Sequence, residues 1–564
     1  MRNWLNPLFN GTFMNAFIRI GPEVAPWLIP VVVLFVLVSG KILLEWKKGE
    51  RIDSIWIVSL AVITFLARVP VLLINRTSNV DEAQTIAHAL TLFRFPAPWK
   101  GIDFTTNGPL NAYAFYLPDL LGLPVDFLTS HVILTVLEII MVWAIYTTIV
   151  NWMNRETAAV TLIPLFIFLA FAQNEDFTHQ SSEIWSAAAL SVAFASFSDL
   201  TRRDDKRFGQ WVFLGLMLGM VPFGKPQGAP PALIFTACIF AYLVFELKGR
   251  AMLAAGAALV LGAVTVPGIF AMVITYYRAW TDFLDLFLIA NLKYAEMHGG
   301  GVAILPSFLW KWGRYSGVSL LFLITMLICL PAVISGNKLS KRDRLIGVTL
   351  LLVTAGGAFA VEQAGRPFDH YLILFLFPGL VLLLAWGIHQ LSNRKATWIA
   401  LSGSFCLFLA FIVLANRATY QVIADAYKKG TPWRMEVSPV SAYVRKWIKD
   451  DRDCIAVYGY YNEIYVETQL PSATRTVTAY QHSVIYPELY TPYYCKDLLT
   501  NRPVVFVDAL DVPQDFRQKF VNRAGHSFVK VPAISRFLQE QYQLVNVIGR
   551  ARIYVRNDRL AAHD

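Results

Sequence analysis

The stretch Arg76-Thr-Ser-Asn-Val-Asp81-Glu82-Ala-Gln-Thr-Ile-Ala-His88-Ala sets two adjacent acids just after a long apolar run. An ionised carboxylate so placed takes a proton from a hydroxyl or balances developing positive charge. The same letters carry a purely structural reading. Ser78 followed three residues later by Asp81 has capping-box spacing, and acids in a first helical turn complement the helix dipole. Three further polar clusters interrupt apolar sequence: Gln180-Ser-Ser-Glu183, Phe223-Gly-Lys225-Pro-Gln227 and Gly365-Arg366-Pro-Phe-Asp369-His370-Tyr371. Lys and Arg bind phosphate oxygens directly, and His donates a hydrogen bond to them. Each has a plainer alternative: Lys225 snorkels to an interface, Arg366 pairs with Asp369 or Glu362, and Tyr371 belongs to an aromatic belt.

The elements that hold these residues are membrane spans. A chain of 564 residues with 56% hydrophobic and only 16% charged residues is wrong for a string of soluble domains. Runs such as Trp27 to Leu44, Ile55 to Ile74, Phe127 to Val150 and Tyr371 to Ile388 approach or exceed the ~20 residues that the hydrocarbon core demands. Long unbroken runs exclude a barrel of short alternating strands. The net charge of +10 is scattered through short loops rather than gathered on one face, which argues against nucleic acid and for topology signals. Met1 to Val24 lacks a signal-peptide pattern and reads as lying on the membrane surface.

Spans are expected near 27–45, 54–74, 126–150, 157–173, 184–200, 211–224, 229–246, 251–277, 315–335, 345–361, 370–391 and 396–415, about 12 helices in all. Alternate connections carry Lys47/Lys48/Arg51, Arg155, Arg202/Arg203/Lys206/Arg207, Lys248/Arg250, Lys338/Lys341/Arg342/Arg344 and Arg394/Lys395, and the positive-inside rule makes them cytoplasmic. The loops 75–125, 173–183, 278–314 and 362–369 then face outside. So does everything after Asn416, expected as a small soluble α/β domain with strands at Cys454 to Tyr458, Val504 to Val507 and Arg552 to Val555. Its helices are expected at Ser441 to Lys449, Phe516 to Asn522 and Ile534 to Gln541. Cys454 and Cys495 either pair in an oxidising compartment or stay free. Lys293, Tyr294, Glu296, His298 and Gly299-Gly-Gly301 suggest a mobile flap, while His88, His179, His298 and His370 show no metal-ligand spacing.

Past the acidic pair, an amphipathic helix from Glu82 to Phe93, the Pro-containing stretch Phe95 to Pro109 and a second membrane-grazing helix from Leu110 to Leu121 make up a first outer loop. This loop, together with the three polar clusters on the same face, resembles the glycosyltransferase C superfamily, GT-C. Within it the chain is most similar to the branch holding protein O-mannosyltransferases and the bacterial transferases that put aminoarabinose on lipid A. The likeness covers the bundle and, more weakly, the outer domain, through Val457-Tyr-Gly459 and Asn462-Glu-Ile-Tyr465 to Arg475. One extra span ahead of the acidic pair departs from the commonest family layout.

The resemblance implies a GT-C-like transmembrane domain over 1–415, including loop 75–125, and an extracytoplasmic α/β domain over 416–564. It implies an inverting transfer of a sugar from a polyprenyl-phosphate donor to a lipid, glycan or protein acceptor, in a bacterial inner membrane with the active site facing the periplasm. Asp81 then serves as base, Lys225, Arg366 and His370 meet the departing phosphate, and Glu82 and Glu183 orient hydroxyls, with Tyr371 also at the substrate. If the acceptor is already an ionised phosphate, Asp81 instead orients the sugar or stabilises charge at its anomeric carbon. Some members of the superfamily use a divalent ion and others, the mannosyltransferases among them, do not; the resemblance to the latter implies neither metal nor cofactor. A secondary transporter is the first rival, although Arg68 and Glu138 are the few ionisable residues within the expected spans. A non-catalytic scaffold is the second.

Overall fold

The structure is a computed structural model that describes residues 25–77, 79–104, 106–173, 175–202, 207–297, 325–327, 329–330, 339–363, 368–391, 423, 425–450, 452–478, 487–510 and 527–561. The chain divides into two compact units. The first comprises 1–74, 134–267 and 300–433, and the second 75–133, 268–299 and 434–564.

Among the described residues eight helices are long and apolar enough to cross a membrane, and the chain is an integral membrane protein. Helices Ala25–Lys48, Ser54–Leu72, Phe127–Trp152, Ser182–Arg202, Ala229–Glu246, Gly249–Tyr277, Lys341–Gln363 and the Asp369–His389 span coincide with expected spans. Two expected spans are shorter helices, Arg155–Phe171 and Phe208–Gly224, of 17 residues each. The spans expected at 315–335 and 396–415 fall largely or wholly outside the described residues, as do Met1 to Val24, the tri-glycine and the helix expected at Phe516 to Asn522.

Within the first unit, burial separates the helices by role. The core-most window of the 369–389 span is entirely buried and that of the 249–277 helix only 28% buried, so the former is the packing centre and the latter faces lipid. Glycines let backbones approach. A side-chain carbon at Gly347 would strike the Trp386 ring, and one at Gly215 or Gly219 would strike the backbone of the 249–277 helix at Leu259 or Ala263. Arg68 and Glu138, both buried, bind each other at 2.9 Å. The same guanidinium donates to the carbonyls of Leu169 at 3.1 Å and Phe177 at 2.8 Å, tying four chain segments together.

The second unit is built on a four-stranded sheet in the order β1-β2-β4-β3, where β1 is Ile455–Gly459, β2 Val505–Ala509, β3 Tyr542–Ile548 and β4 Ala551–Arg556. β1 and β2 are parallel and β2–β4 and β3–β4 antiparallel. Alternation along β1 sends Ile455 and Val457 into one core with Val440, Val444 and Tyr465. It sends Ala456 and Tyr458 into another with Tyr494, Phe506 and Ile534. The three expected strands are present; β3 was not foreseen, nor was the helix Pro487–Asn501. Cys454 and Cys495 both belong to the second core and are free thiols.

The first outer loop belongs to this unit, whereas the sequence reading counted 75–125 with the membrane domain. The physical reason is its helix Val80–Arg94, which packs on the helix Glu463–Thr468 and places Ala87 in the core beside β1. Its apolar face, expected on the membrane surface, is covered by protein. The second loop helix is broken into Leu110–Tyr113 and Tyr116–Leu120, and its Leu117, Leu120 and Leu121 are exposed, as a membrane-grazing segment requires. Arg475 fastens the segments: its guanidinium holds Asp497 through two 2.8 Å bonds, meets Asp282 and donates to the Trp99 carbonyl at 3.3 Å. Burial opposes that charge, but Asp497 and Asp282 more than offset it and keep the pKa above the ordinary arginine value.

Candidate active site

Asp81 sits in the first turn of the 80–94 helix, and the cap is Asn79, whose side chain accepts from the Asp81 amide at 3.0 Å. Ser78, the expected capping residue, lies outside the described residues. With the cap supplied by Asn79, the Asp81 carboxylate is half-buried and accepts a 2.9 Å hydrogen bond from the Tyr460 hydroxyl. A phenol on one oxygen fixes the carboxylate's orientation. Sequence reasoning missed Tyr460. It stands in a Gly-Tyr-Tyr-Asn turn after β1, and nothing in sequence indicates a contact across 379 positions.

Glu82 differs sharply from its neighbour. It is fully buried, accepts from Ser130 Oγ at 2.7 Å and lies 3.3 Å from His131 Nε2. With no exposed surface it cannot touch a sugar hydroxyl in this conformation; what it can do is hold the helix that carries Asp81.

The other assigned residues lie in the first unit. Lys225 ends the Phe208–Gly224 helix in extended conformation before the short turn Pro226–Gly228. Glycines stand on either side of it for a steric reason, since a side-chain carbon at Gly224 would collide with Ser186 and one at Gly228 with Val221, close against Ser186. That close approach brings Lys225 Nζ to 2.9 Å from Glu183, at the start of the 182–202 helix, and to 5.3 Å from the centre of the Tyr371 ring. Both members of the ion pair are buried. Snorkelling, the plainer reading of Lys225, does not describe an ammonium that is 5% exposed.

His370 is buried too, with Nδ1 2.8 Å from Asp176. Its ring stacks on Phe368 and meets Tyr371 and His179 edge-on. A carboxylate on Nδ1 fixes the tautomer and orients the opposite ring edge, so Asp176 is a positioning residue that the sequence reading passed over. Thus Glu183, Lys225, His370 and Tyr371 are brought together, with Asp176 and His179 added. Arg366 lies outside the described residues. Of the flap residues, Lys293 and Glu296 pair with each other at 3.1 Å, and His298 lies outside the described residues. Among the described residues no group of three His, Cys, Asp or Glu side chains is arranged to hold a metal ion.

No family model and no curated protein matches this chain. Solved structures do. ArnT from Cupriavidus metallidurans in the apo state aligns with a TM-score of 0.56 at 10% identity, over 89% of this chain and 98% of that one. The same protein bound to undecaprenyl phosphate gives 0.55 at 12% identity over the same shares. An Archaeoglobus fulgidus oligosaccharyltransferase tethered with an acceptor peptide gives 0.43 at 12% identity, over 80% of this chain and 69% of that one. At such identities the ArnT likeness is one of fold, and this chain has an ArnT-like fold.

Proposed function

We propose that this protein is an inverting glycosyltransferase that moves a sugar from a polyprenyl-phosphate donor to a lipid, glycan or protein acceptor on the outer face of a bacterial inner membrane. The observation that carries the reading is the buried Lys225–Glu183 pair with Tyr371 over the ammonium and the Asp176-oriented His370 beside that ring. A buried cation beside an aromatic ring and a carboxylate-oriented histidine at a helix end is the kind of setting in which functional groups are found. The ArnT structure bound to undecaprenyl phosphate supports a lipid of that class as donor carrier.

In this mechanism the acceptor oxygen attacks the anomeric carbon as the bond to the lipid phosphate breaks. Lys225 and His370 stabilise the charge that grows on the departing phosphate, and Arg366 joins them. Glu183 holds Lys225 in place until the phosphate competes for it. Asp81, steadied by Tyr460, takes the acceptor proton; for an acceptor that is already ionised it stabilises positive charge at the anomeric carbon instead. Glu82 acts through the helix rather than through the sugar.

The test is transfer by purified protein from a panel of polyprenyl-phosphate sugars, with products read by mass spectrometry, wild type against Asp81→Asn. Loss in the folded variant supports the enzyme and its base. Retained transfer removes the role of Asp81, and no transfer or hydrolysis from any donor by folded wild-type protein overturns the reading.

A further inference from the structure

The first unit contains a cavity of about 360 Å³, lined from the later turns of the 182–202 and 229–246 helices, at the ends opposite Glu183 and Lys225. Its wall includes Trp152, the last residue of the 127–152 helix, and Phe197, Tyr242 and Phe245 near the ends of two others. Lys341, Arg342 and Arg344 complete its lining, at the start of the 341–363 helix, and all three are exposed. The volume is within the range of ligand sites, about 300–1,000 Å³. An apolar, aromatic recess edged by three cations matches a molecule with a hydrocarbon part and a phosphate. In a membrane protein the abundant molecule of that description is a lipid.

We propose that this cavity binds an anionic phospholipid of the surrounding bilayer, with an acyl segment among Trp152, Phe197, Tyr242 and Phe245 and the phosphate at Lys341, Arg342 and Arg344. Basic pockets between transmembrane helices are where such headgroups are held. Lys341 Nζ already lies 5.9 Å above the Phe245 ring, at the junction between the apolar wall and the charged edge. Two acids stand at the same end: Glu246 lines the cavity, and Asp343 accepts from Ser340 Oγ at 2.7 Å. Three cations against two acids favour a singly charged headgroup such as phosphatidylglycerol. The basic residues are among those that the positive-inside rule puts on the cytoplasmic side, which assigns the lipid to that leaflet.

Cys238, a half-buried free thiol, forms part of the wall and reports occupancy without any engineering. Full-length protein in detergent would be alkylated with a maleimide in the presence of phosphatidylglycerol, phosphatidylcholine or glycerol phosphate, and the Cys238 peptide followed by mass spectrometry. Native mass spectrometry of the same samples would count retained lipids. Phosphatidylglycerol is expected to slow Cys238 alkylation about tenfold and to stay bound, and the other two to do neither. At roughly fivefold per basic residue, the K341Q/R342Q/R344Q variant should bind phosphatidylglycerol about a hundredfold more weakly, with unchanged elution on size exclusion. Equal protection by phosphatidylcholine would show apolar filling alone, and protection by glycerol phosphate a free-phosphate site. Either result, or no retained lipid by native mass spectrometry, overturns the proposal.

Discussion

Two buried ion pairs in the membrane unit look alike on a list and differ in what surrounds them. Arg68–Glu138 is closed by backbone: the guanidinium binds its carboxylate and two main-chain carbonyls. Lys225–Glu183 is surrounded by groups that do chemistry, with the Tyr371 ring over the ammonium and His370 edge-on to that ring. A cation bound by carbonyls has no alternative ligand and is part of the scaffold. A cation that shares its surroundings with a tyrosine and a carboxylate-oriented histidine is the one to which the proposed mechanism gives the departing phosphate. Arg68 and Glu138 are also the few ionisable residues within the expected spans, and the clamp accounts for both.

The comparison breaks most severely at the clamp. Arg68→Ala leaves Glu138 buried without its cation, a loss of about 3–5 kcal/mol, and little folded protein should survive detergent extraction; Arg68→Met with Glu138→Met should recover it. The matching pair at the site, Lys225→Met with Glu183→Gln, should keep its thermal transition within a few degrees yet lose transfer by more than about a hundredfold. If both double variants stay active, the distinction between the pairs is void. Asp81→Asn should lower transfer by about 10²–10⁴ with the melting temperature unchanged.

Smaller effects sharpen the second unit. Burial, and then the neighbouring Glu467, push the Glu463 carboxyl up to about 7 from its ordinary value of 4.5. A folded pKa above the unfolded one means that the native state holds the proton longer. Stability should therefore fall as pH rises from about 4.5 to 7, and Glu463→Gln should remove that slope and raise stability at pH 8 by about 3 kcal/mol in thermal or denaturant melts. Tyr460→Phe, which deletes the hydrogen bond to Asp81, should lower transfer severalfold with the melting temperature unchanged. An unchanged rate would mean that the phenol does not position Asp81.

The sequence is most legible where structure is local. Apolar runs of about 20 residues mark spans because the bilayer sets their length, and Asp81, Lys225 and His370 stand out because polar groups at span ends need a reason. What escaped reading is set by partners distant in the chain. The Val80–Arg94 helix shows an apolar face without saying whether lipid or Ala87's neighbours cover it. Tyr460, Ser130, His131 and Asp176 are ordinary letters until the fold carries them to a carboxylate or a histidine. β3 follows the Pro532–Gln541 helix with no intervening residue, so no turn signal announces it.

That the 80–94 helix shares a core with β1 also imposes a timetable. The helix ends at Arg94 and β1 begins at Ile455, so 360 residues lie between them. At about 5–20 residues per second of synthesis, roughly 20–70 s pass between the two. Throughout that interval the first outer loop has been made and its final packing partner has not. An early loop whose Ala87 face stays uncovered for so long needs a temporary cover, from lipid or from a chaperone. Chains stopped before residue 434 should display that helix to proteases that the complete protein resists.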